Sequence, residues 1–170
     1  PSERGPESHG SGAASPHLVL DVASLQPSVL DHQPQEAAGR IEVDGGSAPL
    51  VRAGGGEASF VKADVSDERD ARSMVQFAIT RYGRLDALYN NAGIMPEADH
   101  SVIDTDVDTW DQVMAVNVRG VFLGCKHAIL RFTAQGDGGV ILNTGSVAGL
   151  VAWGGTVYGA TKGAVHQLTK

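Results

Sequence analysis

Apolar and polar positions keep a regular rhythm along this chain only from about residue 58 onward. Residues 59–65 (SFVKADV) alternate with the two-residue period of a strand. Ser66 then stands where a helix N-cap is expected, with Asp67 and Glu68 in a first turn whose dipole favours negative charge. Ala71, Met74, Val75, Ala78, Ile79 and Tyr82 fall on one helical face, and Gly83 ends that helix. Residues 85–89 (LDALY) form a short strand running into Asn90-Asn91-Ala92-Gly93. A longer helix begins near Thr109, with Trp110, Val113, Met114, Val118, Val121, Phe122, Cys125, Ile129 and Phe132 at helical spacing. Gly136, Gly138 and Gly139 close it. Residues 140–143 are the next strand, and residues 156–169 a last helix.

Strands alternating with helices predict an α/β fold: a doubly wound parallel sheet covered on both faces. Ligands of such sheets bind beyond the carboxyl ends of the strands, where Asp64, Asn90 and Ser146 are expected to lie. Residues 1–58 contrast with this order. They mix Gly, Pro, Ser and short apolar fragments, and Pro6, Pro16, Pro27 and Pro34 interrupt any helix between them. Residues 17–22 (HLVLDV) and 40–44 (RIEVD) are the candidate strands there.

Composition narrows the classes of function. A length of 170 residues suits one domain with a real core, and 42% hydrophobic with 19% charged residues is ordinary for a soluble protein. No apolar run in the sequence approaches the roughly 20 residues of a membrane span, and the polar start, residues 1–12, does not read as a signal peptide. A formal net charge of −7 argues against nucleic acid or an anionic membrane as the main partner. The single cysteine, Cys125, precludes an internal disulfide and fits a reducing, cytoplasmic setting. The six histidines never fall within one helical turn of each other, so no metal site is expected.

Tyr158 and Lys162 lie one helical turn apart and share a face. A phenol with a pKa of about 10 is a poor base at neutral pH, and bringing it to about 7 takes roughly 4 kcal/mol. A neighbouring ammonium favours the phenolate and supplies part of that. The pair therefore reads either as a general acid/base acting on an alcohol or carbonyl oxygen, or as a surface pair. Ser146, past the strand at 140–143, is either a donor to a substrate oxygen or a loop cap. Asn117 sits mid-helix, an unfavoured place for asparagine, as a core amide or a functional one. Asn90, Asn91, Ala92 and Gly93 permit close backbone approach to a ligand and equally make an ordinary turn. Asp64 either accepts from an adenine amino group or caps the next helix.

The order of these signals is more telling than any one of them. Asp64-Val65, NNAG at 90–93, Asn117 within MAVNVRG, Ser146 within NTGSVAG and Tyr158-Gly-Ala-Thr-Lys162 together resemble the short-chain dehydrogenase/reductase family, over roughly residues 53–170. The resemblance implies a Rossmann-like domain, incomplete here, with residues 1–52 as an atypical N-terminal segment. It implies hydride transfer between NAD or NADP and a secondary alcohol or ketone, the chemistry belonging to the cofactor. Asn117, Ser146, Tyr158 and Lys162 match the family's catalytic tetrad. By that match Tyr158 is the acid/base. Lys162 lowers its pKa and binds the nicotinamide ribose, Ser146 steadies the substrate oxygen, and Asn117 holds a water linking Lys162 to solvent. Asp64 and Val65 would contact the adenine, and Asn90, Asn91, Ala92 and Gly93 the adenosine side. The family is usually homo-oligomeric, with the helix of Lys162 in the subunit interface.

Two departures stand beside the match. The family's first strand is followed by a glycine-rich turn that admits the pyrophosphate; the nearest trace here, Ser11-Gly12-Ala13-Ala14-Ser15, is followed by Pro16 and Leu18. The chain also stops within the last helix, before the strands that shape the family's substrate pocket. Residues 40–46 (RIEVDGG) resemble the end of the second strand, where Glu42 would accept from a ribose 2′-OH and so favour NAD over NADP. Two readings follow, an active oxidoreductase or an inactive fragment that binds cofactor poorly. A nucleotide-sugar epimerase of the extended branch fits NNAG and the Asn117 motif less well.

Overall fold

The computed structural model describes residues 59–170 and, before them, two strand segments. In chain order the elements are β1 (Val19–Val22), β2 (Arg40–Ile41), β3 (Ala63–Asp64), α1 (Glu68–Tyr82), β4 (Ala87–Asn90), α2 (Val107–Gln135), β5 (Val140–Asn143) and α3 (Thr156–Leu168). A π-helical turn, Ala115–Arg119, lies within α2, and a 3-10 turn, Val147–Gly149, precedes α3.

Strands β1, β4 and β5 form a parallel sheet in the order β1-β4-β5. Their register aligns Val22 with Asn90 and Asn90 with Asn143, so the three carboxyl ends finish level. Parallel neighbours need long crossovers, and α2 supplies the one from β4 to β5. The strand expected at residues 17–22 is thus found as β1. The alternating stretch at 59–65 pairs only at Ala63–Asp64, and antiparallel to β2 rather than parallel. A two-rung ladder needs no crossover helix, and alternation alone does not tell where a partner begins. Glu42 and the remainder of the 40–44 strand lie outside the described residues.

Helix α1 matches its expected span and ends at Gly83, whose φ of 86° suits the left-handed C-cap. Its N-cap is Asp67, not Ser66: the Asp67 carboxylate accepts from the Arg69 and Asp70 main-chain N–H groups, while Ser66 is bound to Asp64. Ala71, Met74, Val75 and Ala78 are buried as the stripe predicts, against Leu85, Leu88, Leu123, Ala128 and Phe132.

The long helix buries only part of the face its large residues suggest. Val113, Val116, Gly120, Val121, Leu123, Gly124, Ala128 and Phe132 are inside. Trp110, Phe122 and Ile129 are 44%, 50% and 54% exposed. Small residues decide this. A Cβ at Gly120 would meet the Val65 side chain at 2.8 Å, and one at Gly124 the Asn90 carboxamide at 2.2 Å. Only glycine lets α2 approach β3 and β4 so closely. By length and composition α2 alone among the described helices could also cross a membrane; its packing on α1 and β4 makes it a core helix here.

Candidate active site

The carboxyl ends of β4 and β5 carry a polar layer. Asn90 Nδ2 donates to Asn143 Oδ1 at 2.9 Å, and the Thr144 N–H donates to the Asn90 carbonyl at 3.0 Å, which extends the ladder one rung. The Thr144 hydroxyl donates to Asn91 Oδ1 at 2.7 Å. Asn90 is therefore a buried amide tying two strand ends together, and Gly124 provides the space for it.

Asn117 lies in the π-helical turn of α2 and is 1% exposed. Its Oδ1 accepts from the Ile94 N–H at 2.8 Å, and its Nδ2 donates to the Ile94 carbonyl at 2.9 Å. The same Nδ2 donates to Thr161 Oγ1 at 3.1 Å. A mid-helix asparagine, unfavourable by propensity, here reads both main-chain groups of the residue just after NNAG. The side chain is fully engaged in protein contacts. A π turn is itself a frequent mark of a functional site.

Helix α3 brings Tyr158 and Lys162 to the same place. Lys162 Nζ sits 5.5 Å from the centre of the Tyr158 ring and donates to the Thr144 carbonyl at 2.8 Å. Burial pulls the Lys162 pKa below the ordinary lysine value, because desolvation disfavours the charged form. A Cβ built on Gly93 would lie 3.5 Å from Asn117 Oδ1 and 3.6 Å from Lys162 Nζ. Gly93, Asn117 and Lys162 thus line one small space.

Ser146 opens the 3-10 turn and accepts from the Ala148 N–H at 3.2 Å, so it is a cap whose hydroxyl proton is left for another acceptor. The turn packs on α3 backbone to backbone: a Cβ on Gly149 would meet the Lys162 carbonyl carbon at 2.6 Å. This contact places Ser146 and Tyr158 on adjoining segments. Thr144 and Thr161 complete the cluster; neither stood out in the sequence, since a threonine carries no chemistry that spacing alone would flag.

The adenine-side candidates are arranged differently. Asp64 Oδ1 accepts from the Ser66 N–H and hydroxyl at 2.8 and 2.7 Å, a local turn, so Asp64 does not cap α1. Val65 is buried, its side chain and its carbonyl both against Gly120. Ala92 is buried and Asn91 half-buried beside Thr144. The sequence from 13 to 38 holds no glycine, so the residues that follow β1 supply no glycine-rich turn. Among the described residues no group of His, Cys, Asp and Glu is placed to hold a metal.

Fit to a nicotinamide nucleotide can be judged from Lys162 and Gly93. Lys162 is a buried ammonium with three donors, one of them used by the Thr144 carbonyl, and glycine keeps the adjoining space open. A ribose diol suits those remaining donors. On the nicotinamide side the residues fit the group.

Comparison with known proteins accords with this geometry. The short chain dehydrogenase family matches residues 46–170. The chain belongs to that family. An uncharacterized oxidoreductase of Listeria monocytogenes is 44% identical over 133 residues, 78% of this chain and 52% of that protein. The 2-(R)-hydroxypropyl-CoM dehydrogenase of Xanthobacter autotrophicus is 47% identical over 112 residues, 65% of this chain and 44% of that protein. Among solved structures, a short chain dehydrogenase/reductase from Burkholderia phymatum in complex with NAD superposes with a TM-score of 0.68 at 32% identity, covering 72% of this chain and 43% of that one. Levodione reductase gives 0.67 at 34%, covering 72% and 48%. This short chain dehydrogenase therefore has a Rossmann fold and spans about half the length of the relatives it matches.

Proposed function

We propose that this short chain dehydrogenase supports hydride transfer between NAD or NADP and a secondary alcohol or ketone, with Tyr158 as general acid/base. The observation that carries the reading is the buried Lys162 ammonium beside the Tyr158 ring, at the level end of a parallel sheet. When bound, the nicotinamide supplies or accepts the hydride. The chain's own residues do the rest. Tyr158 moves a proton to or from the substrate oxygen at its phenolic hydroxyl. Lys162 stabilises the phenolate and holds the ribose with its free donors. Ser146 donates its hydroxyl proton to the same substrate oxygen. Asn117 keeps Ile94 and α3 in place, and a water linked to Lys162 would rest on its main chain, since its side chain is engaged.

Asp64, Val65, Asn90, Asn91, Ala92 and Gly93 border the adenosine side in this reading, Asn90 by fixing the strand end beneath it. NAD is favoured over NADP through Glu42. A relative whose name specifies a hydroxypropyl group supports an alcohol substrate, as does the 3beta-hydroxysteroid dehydrogenase 2 of Eggerthella lenta, 42% identical over 117 residues. A reducing, cytoplasmic setting with Cys125 as a free thiol belongs to the same proposal. So does a homo-oligomer: an apolar groove between α2 and α3, lined by Met114, Val118, Phe122, Ala164 and Leu168, suits a second copy.

Fluorescence titration with NADH and NADPH, followed by assay of secondary alcohols, tests the reading. Binding tighter than about 1 mM is expected. Tyr158→Phe should cut turnover by about 1000-fold while cofactor affinity stays within about threefold. Retained turnover in that variant refutes the role of Tyr158, and absent binding refutes the cofactor.

A further inference from the structure

Helix α3 has no cap of its own. Gly155 occupies the N-cap position without a side chain, yet the first N–H groups of a helix need acceptors. They find them on the loop after β4. The Thr156 N–H donates to the His100 carbonyl at 3.1 Å, the Val157 N–H to Asp99 Oδ1 at 2.9 Å, and the Tyr158 N–H to Asp99 Oδ2 at 2.7 Å. Asp99 is 7% exposed, and no basic side chain is paired with it among the described residues. Its counter-charge is the positive end of α3 itself.

We infer that Asp99 is a positioning residue for Tyr158: a carboxylate from the β4–α2 loop that caps the catalytic helix and fixes where the phenol stands. This rests on the dehydrogenase reading of Tyr158. Tyr158 is held at both ends of its residue. Asp99 takes its N–H, and its carbonyl accepts from Thr161 Oγ1 at 2.7 Å, which in turn accepts from Asn117. Asn117 grips Ile94 at the start of the same loop. The loop from Ile94 to His100 is thus fastened to α2 at one end and to α3 at the other, with the site between. Gly155 is part of the device, because a Cβ there would meet the Asp99 carboxyl carbon at 2.2 Å and the Asp99 carbonyl oxygen at 2.6 Å. A local N-cap side chain is excluded, and the distant carboxylate takes its place. Met95 lies on the same loop and, like the Tyr158 ring, borders Gly154. The fastening therefore sets the substrate-side loop against the phenol as well.

The test uses the protein with any sequence flanking these 170 residues retained, and compares Asp99→Ala, Asp99→Asn and Gly155→Ala. Misplacing a catalytic group by about an ångström costs on the order of 100-fold, so Asp99→Ala should lower kcat per folded molecule by about that factor, with cofactor KM within about threefold. Asp99→Asn keeps one acceptor and should lose roughly tenfold. Gly155→Ala, which leaves the carboxylate but displaces it, should reproduce the Asp99→Ala defect, and the double variant should be no worse than Asp99→Ala alone. Losses that multiply, or a lowered melting temperature with kcat unchanged in the folded fraction, overturn the inference. Should Asp99→Ala not fold, Asp99→Asn and Gly155→Ala decide it, and unchanged kcat in both overturns it. Should the unaltered protein turn over no alcohol, the dehydrogenase reading fails first. Amide exchange at Val157 and Tyr158 then judges Asp99 independently: faster exchange in Asp99→Asn supports the cap, and equal rates refute it.

Discussion

At the two ends of β4, side-chain amides of α2 hold the main chain of a single residue. Beyond its carboxyl end Asn117 takes the Ile94 N–H and carbonyl at 2.8 and 2.9 Å; before its amino end Gln135 takes those of Leu85 at 2.9 and 2.8 Å. Each carboxamide imitates one rung of an antiparallel ladder. Their surroundings differ. Asn117 is buried and passes its remaining donor through Thr161 to the carbonyl of Tyr158. Gln135 is half-buried, and its oxygen is shared with the Arg131 guanidinium among charged groups that include Asp137 and Arg84. The same chemistry fixes the strand at both ends, but only one end is connected to Tyr158, the residue proposed as acid/base. In a parallel α/β sheet that is the carboxyl end, where ligands bind.

The largest effect should follow from breaking the inner grip. Asn117→Leu takes the amide partner from the Ile94 N–H and carbonyl and from the buried Thr161 hydroxyl, a cost of about 3 kcal/mol by urea unfolding. It also frees Thr161, and turnover should fall by about 100-fold in the folded fraction. If turnover survives in that fraction, Asn117 is a stability element no different from Gln135. Gly124→Ala acts between the two grips. Its added methyl would press on Asn90, forcing α2 off β4 at a cost of about 2 kcal/mol, and the site end should suffer more than the far end because Asn90 belongs to it. Amide exchange that quickens at Ile94 before Leu85 would bear this out, and the reverse order would refute it. Gln135→Leu takes the partner from the main chain of fully buried Leu85, a cost of about 2 kcal/mol, but turnover should stay within about twofold. A larger loss of turnover would remove the distinction between the two ends.

How much of this was legible in the sequence depends on the distance over which each contact acts. Helix α1 could be read from its apolar stripe and Gly83, because caps and periodicity are local. The shift of its N-cap from Ser66 to Asp67 is a one-residue slip of the same kind. The two grips were not legible in this way. Position alone makes Asn117 an awkward mid-helix residue with two possible roles, and the resemblance adds it to the tetrad, but neither its grip on Ile94 nor that of Gln135 on Leu85 is legible, because those partners lie 23 and 50 residues away. Asp99 bonds residues 58 and 59 positions onward and gave no signal either. Large apolar residues at helical spacing in α2 look like core, and Val113, Val121 and Phe132 are, whereas Trp110, Phe122 and Ile129 stay exposed because close approach to the sheet belongs to Gly120 and Gly124. Tyr158, Lys162, Ser146 and Asn117 are visible through family resemblance, and the glycine contacts between the 3-10 turn and α3 bring the segments of Ser146 and Tyr158 side by side.

The smallest effect sharpens the comparison electrostatically, for the inner end holds a buried charge and the outer end holds exposed ones. Burial lowers the Lys162 pKa in the folded protein, so desolvation of the ammonium works against folding while it is charged. Between that lowered pKa and the ordinary value of about 10.4, the unfolded chain binds more protons than the folded one. Stability contributed by this group therefore rises with pH across that window, and the penalty is fully present below it. Lys162→Met removes the term. Urea unfolding of the two proteins from pH 7 upward should show the stability of the unaltered protein gaining on the variant as the solution becomes alkaline. The Thr144 carbonyl loses its partner in the variant at every pH, so it shifts the curves without changing their convergence. Parallel curves would mean that the ammonium is solvated in the folded state. Its nearness to Tyr158 would then lack the low-dielectric setting on which the proposed role of Tyr158 draws.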